Sequence, residues 1–197
     1  MSELGNLTLA ALALAGSPGP NTLSLAAVGA AFGRQRGMAY LAGLTLGMVV
    51  VIAITGTGVS TLVMALPGVA PVITGLAVCY FLWLAWRIAT APPIDKVDSA
   101  AMPPRWFEGA LLSTVNPKAY AATAAVFSGF TVIPDAPLQD GLAKTVTVMA
   151  VILFVNICWL TVGASLTRAF QNPRSARAIN LSFAAALLLS VAAATLL

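Results

Sequence analysis

Val115-Asn116-Pro117-Lys118-Ala119-Tyr120 lies inside an apolar run from about Trp106 to Phe130, and its reading decides what fold the chain can adopt. At ~1.5 Å per helical residue, Lys118 sits ~18 Å from Trp106, deep in a hydrocarbon layer ~30 Å thick. A charge at that depth costs at least ~2.5–3.5 kcal/mol on insertion scales, so it faces a cavity or a partner rather than lipid. Asn116 and Pro117 have the chemistry of a helix start. Asparagine accepts from free N–H groups at a cap, and proline at the first helical position lacks an N–H that would be orphaned there. The spacing predicts a broken helix whose second half begins at mid-membrane with a lysine in its first turn. The competing reading is a proline kink with a lysine snorkelling to an interface; the depth of Lys118 argues against it.

The composition agrees. The 197 residues are 59% hydrophobic and 8% charged, with a mean hydropathy of +0.94, whereas soluble domains carry about 25% charged residues. The formal charge of +4 comes from basic residues scattered among short loops, so no nucleic-acid surface is expected. There is no histidine, which removes the commonest metal ligand and proton relay, and neither a metal nor a cofactor is expected. Cys79 and Cys158 lie in apolar runs and read as packed thiols. Leu4–Ala15 imitates a signal peptide, but the first charge is Glu3 where such a peptide needs basic residues, so the segment is expected to remain in the protein.

Six apolar runs follow in order, predicting an all-α, polytopic membrane protein with six transmembrane helices. Span one, about Leu4–Phe32, carries Ser17-Pro18-Gly19-Pro20-Asn21 in its middle. Arg34-Gln35-Arg36 makes a short basic turn before span two, about Met38–Met64. Span three is about Pro71–Ile88, span four Trp106–Phe130, span five Leu142–Leu166, and span six begins near Ala178. The polar stretch Ala91–Arg105 divides the chain into residues 1–90, a linker 91–105, and residues 106–197. Three spans on each side of one linker mean that, if the halves are similar, they are inverted repeats, and each half opens with the broken span. Pro20 and Pro117 are separated by about half of the 197 residues, and interrupted spans at matching places in two halves point to a transporter's central site. Arg34, Arg36, Arg87, Lys96, Arg105, Arg168, Arg174 and Arg177 fall on one side, against Lys144 alone on the other. The basic side is cytoplasmic, which places both termini outside.

In this topology the half-helices starting at Pro20 and Pro117 aim their positive N-termini at each other near mid-membrane, with Lys118 beside them. Such a place suits a carboxylate, and Asn21 and Asn116 can supply amide contacts to a zwitterion. A purely structural kink remains the alternative for the first break. Gly43 and Gly47 read as close helix packing. Asn156 and Trp159 share a face of span five and either line the cavity or make ordinary interhelical contacts.

Ser17-Pro18-Gly19-Pro20-Asn21-Thr22, Ala42-Gly43-Leu44-Thr45-Leu46-Gly47 and Asn116-Pro117-Lys118, in that order, resemble the LysE/RhtB family of amino-acid exporters over the whole chain. Leu82-Trp83-Leu84-Ala85-Trp86-Arg87-Ile88-Ala89-Thr90 and Asn156-Ile157-Cys158-Trp159 are similar to the branch that exports cysteine and O-acetylserine. The resemblance implies six spans in the bacterial cytoplasmic (inner) membrane and efflux driven by the proton gradient. It also implies substrate binding by Pro18, Gly19, Pro20, Asn21, Asn116, Pro117 and Lys118, to which the face of span five adds Asn156 and Trp159. One departure bears on specificity: Met48 stands where several relatives carry a polar or acidic residue after the second glycine of span two.

The reading is therefore a secondary exporter of small zwitterionic amino acids or derivatives, not an enzyme, with substrate and membrane lipid as partners and a homo-oligomer left open. The alternative is a passive small-solute channel. Channels show charge rings or carbonyl filters, and this chain offers one deep lysine and two broken helices. All six acids (Glu3, Asp95, Asp98, Glu108, Asp135 and Asp140) lie in loops or at span ends, so no mid-membrane carboxylate carries a proton.

Overall fold

The computed structural model describes residues 2–57, 102–165 and 172–196, with scattered positions between 68 and 90. Half of the expected third span and most of the 91–105 linker lie outside the described residues. Among the described residues six helices run in order: α1 Glu3–Gly16, α2 Pro20–Gly56, α3 Trp106–Val115, α4 Pro117–Gly129, α5 Pro137–Ser165 and α6 Pro173–Leu196. No strand occurs among the described residues.

Local chemistry sets the helix ends. α1 starts on Ser2, whose Oγ accepts from the Gly5 N–H at 3.3 Å, and it stops where Ser17 turns extended ahead of Pro18. α2 starts with Pro20 at its first position, and Thr22 Oγ1 accepts from the Gly19 N–H at 2.9 Å. Thirty-seven helical residues would span ~55 Å, nearly twice a bilayer. Gly33, with φ 77° and ψ 170°, divides α2 into segments 20–32 and 34–56, of ~20 and ~35 Å. Glycine occupies that region without a Cβ penalty. The basic turn expected at Arg34–Arg36 is thus a single-residue kink, and those three residues are helical and exposed.

α2 is the centre of the packing. Gly43 and Gly47 lie against the carbonyls of Trp106 and Ala110 in α3, and Gly109 of α3 lies against the Tyr40 carbonyl. A second seam sets Gly29 against the Leu160 carbonyl of α5, and Gly163 of α5 against the Ala26 carbonyl. Gly43 and Gly47 therefore serve close helix approach, as their spacing suggested. One apolar cluster, including Leu25, Leu44, Leu112, Leu160 and Leu187, joins α2, α3, α5 and α6. Another, including Leu7, Val51, Val126, Val151 and Val155, joins α1, α2, α4 and α5. Leu46, Val50, Val146 and Phe154 point outward, and α2 and α5 are long and apolar enough to cross a membrane. An apolar exterior of this kind suits lipid as solvent.

Candidate functional site

The two helix breaks, at residues 17–19 and at Asn116, meet around Lys118. Lys118 stands second in α4 behind Pro117, and Asn116 caps that helix with Oδ1 accepting the Lys118 N–H at 3.1 Å. The Lys118 ammonium reaches across to the first break. It donates to the Ser17 carbonyl at 2.8 Å, the Ser17 hydroxyl at 2.7 Å and the Pro18 carbonyl at 3.1 Å. An ammonium has three N–H groups, and each has an acceptor here. Its charge thus rests on the carbonyl end of α1, where a helix dipole is negative. The Ser17 and Pro18 carbonyls, freed by the break, are satisfied by this ammonium.

A second link runs beside the first. Asn116 Nδ2 donates to Asn21 Oδ1 at 2.9 Å, and Asn21 Nδ2 donates to Ser113 Oγ at 2.9 Å. Ser113, fully buried, donates in turn to the Leu44 carbonyl of α2 at 2.8 Å. Four polar groups on three helix segments form one directed chain, which fixes which way each amide points. The α4 start is closed by its own cap, since the Ala119 N–H also donates to the Asn116 carbonyl at 3.0 Å. The α2 start is different: the Asn21 and Thr22 N–H groups have no intrahelical acceptor, because the residues four positions earlier lie in the break.

These groups form one end of a cavity of about 70 Å³, room for about five waters at ~10–15 Å³ each. Ser17, Asn21, Thr22, Asn116, Lys118, Thr123 and Asn156 supply its polar lining, and Met48, Ala122, Val126, Val148 and Ile152 are among its apolar lining. No carboxylate lines it among the described residues, and those residues hold no cluster of three His, Cys, Asp or Glu side chains.

Of the residues singled out from sequence, Gly19, Asn21, Asn116, Lys118 and Asn156 line this cavity. Pro18 contributes its carbonyl to Lys118, while Pro20 and Pro117 occupy first helical positions. Asn156 Nδ2 donates to Thr45 Oγ1 at 3.4 Å. Trp159 is outside the lining; its Nε1 donates to the Gly16 carbonyl at 3.3 Å, which braces the end of α1. Asn21 and Asn116 bond each other rather than standing open. Ser17, Thr123 and Ser113 were missed. Ser113 precedes Asn116 by three residues, and that shared helix face was the available signal.

The model of the LysE type translocator family matches residues 12–197. The chain is 29% identical over 157 residues to the cysteine/O-acetylserine efflux protein of Salmonella typhimurium, covering 79% of this chain and 80% of that one. It is 27% identical over 158 residues to the protein of the same name from Escherichia coli K12, with the same coverage. No solved structure matches. A family match that spans the cavity, both helix breaks and the glycine seams leaves one conclusion: the chain belongs to the LysE family of membrane translocators.

Proposed function

We propose that this protein exports small zwitterionic amino acids or their derivatives across the bacterial cytoplasmic membrane, driven by the proton gradient. The observation that carries the proposal is the cavity at the meeting of two helix breaks, with an ammonium, two asparagine amides and the first turn of α2 at its polar end. A substrate carboxylate enters by taking the place of the Pro18 carbonyl, the longest of the three ammonium bonds at 3.1 Å, and lies against the start of α2. Asn21, Asn116 and Asn156 orient the amino group, and the Val126–Val148–Ile152 wall takes an uncharged side chain. The relatives' names, cysteine/O-acetylserine efflux protein, suit a substrate of this size. Substrate binding and protonation are linked at Lys118, because a carboxylate partner favours the charged amine. The halves 1–90 and 106–197 form inverted repeats, with both termini outside.

Counterflow in proteoliposomes tests this, with radiolabelled O-acetyl-L-serine and L-cysteine set against L-lysine and L-glutamate. The expected result is exchange of the first two and collapse of uphill export with an uncoupler. Exchange of none of the four, or flux that ignores the proton gradient, would overturn it.

A further inference from the structure

One turn beyond the cavity lining, at the end away from Lys118, lies an ion pair that the proposed binding site does not use. Lys118, Ala119, Ala122, Thr123 and Val126 carry the lining along one face of α4, and Asn156, Val155, Ile152 and Val148 carry it along α5. Each stretch runs over nine residues, a rise of ~12 Å of helix. The next position on the same face of α5 is Lys144, one turn before Val148. Its Nζ lies 2.6 Å from Asp140 Oδ2 and donates to the Phe127 carbonyl, just past Val126, at 3.0 Å. Asp140 Oδ1 accepts from the Val132 and Ile133 N–H groups at 2.6 and 3.0 Å. Lys144 and Asp140 are only 6% and 9% exposed. One ion pair thus fastens the end of α4, the loop that follows it and the first turns of α5, directly over that end of the cavity.

A brace of the loop alone needs only neutral hydrogen bonds. Two charges withdrawn from water are an expensive way to make one, and removing either partner strands the other. They are also the one arrangement at this end that separates into two groups water or a zwitterion welcomes. We propose that the Asp140–Lys144 pair is the closure of the cavity at the α4–α5 loop, and that export passes between these side chains when the pair parts. The leaving amino acid brings a carboxylate for Lys144 and an ammonium for Asp140, so the opened pair is a transient station for a zwitterion. This rests on the exporter reading.

The test uses the full chain with Cys79→Ala, Cys158→Ala and Thr123→Cys, treated with a membrane-impermeant methanethiosulfonate in intact cells and in inverted vesicles. With the pair intact, labelling from the loop's face is slow. In Asp140→Asn and in Lys144→Gln, which each remove one charge and leave a polar amide, labelling from that face rises at least tenfold, and from the other face it stays the same. No change in a folded variant overturns the closure, as does an equal rise from both faces. Failure of both variants to fold makes the pair a structural brace and also overturns it. Labelling needs no amino acid: a chain that labels as expected, while the Cys79→Ala, Cys158→Ala protein with Thr123 intact exchanges none of the four amino acids, loses the exporter reading alone. Normal exchange with unchanged labelling does the reverse.

Discussion

Lys118→Met separates the two roles the structure gives this side chain. The stem is kept and the ammonium is lost, leaving the Ser17 carbonyl, the Ser17 hydroxyl and the Pro18 carbonyl without their donor. Bonds to a charged group contribute ~1.5–3 kcal/mol each, so the gross loss is ~5–9 kcal/mol. All three acceptors border a cavity of about 70 Å³, and water entering it restores most of that, leaving a net destabilisation of ~2 kcal/mol. The folded protein therefore persists. Binding is hit harder in relative terms: the substrate carboxylate loses one charge-assisted bond, ~1.5–3 kcal/mol, or about 10- to 150-fold in Kd. The assay is radioligand binding on purified protein, with thermal unfolding in detergent alongside. Affinity equal to wild type, with the thermal shift present, would show that Lys118 only ties the helix break, and the carboxylate site would have to lie elsewhere. Lys118→Arg is the companion variant. It keeps a charge that cannot readily be lost, and it should bind while failing to pump against a gradient.

Gly43→Ala drives a methyl into the Trp106 carbonyl, backbone that cannot swing aside, and should cost ~3 kcal/mol, the upper range for overpacking. Gly141→Ala, on a helix surface with nothing within 4 Å, should instead gain ~0.5–1 kcal/mol; similar melting temperatures for the two would refute the seam. Ser113→Ala strands the Asn21 amide beside a fully buried position and should cost ~1–3 kcal/mol of stability; it should also weaken binding, and unchanged affinity would detach the polar chain from the site. Glu108 Oε2 accepts from the Arg105 N–H at 2.7 Å and caps α3, so Glu108→Gln should leave proton-driven efflux intact; complete uncoupling in a folded protein would make it a proton carrier. Asp135→Cys, in an exposed loop, should label from outside intact cells in a chain lacking Cys79 and Cys158; labelling only after permeabilisation would reverse the topology.

The helix breaks were legible because proline, glycine and asparagine act on the backbone locally. Pro117 behind Asn116 and Pro20 behind Gly19 dictate a cap and a first turn whatever surrounds them. Gly43 and Gly47 were legible for a similar reason, since small residues one turn apart have few other uses in lipid. Where Lys118 points was not legible. Sequence fixes the depth of a charge, but its partners are carbonyls a hundred residues away, and any residue type carries a carbonyl. Ser113 was hidden likewise, as one hydroxyl in an apolar run. Asp140 and Lys144 were assigned to a surface by their place at a span end, and their burial depends on how the loop folds over them. Their i, i+4 spacing on α5 was the clue left unused.

The glycine seams have a bearing on motion. Where the backbones of α2, α3 and α5 touch, no side chain stands between to change rotamer, so those three helices form a stiff chassis. The ends of α1 and α4 are more open: a Cβ on Gly16 or Gly129 would meet nothing within 4 Å. These two half-helices hold opposite sides of the cavity by side-chain packing and by the Lys118 bonds across the breaks. Side-chain interfaces slide at low cost, and backbone-on-backbone ones do not. Movement at the cavity is therefore easier for α1 and α4, which end at the breaks, than for the helices joined along the glycine seams.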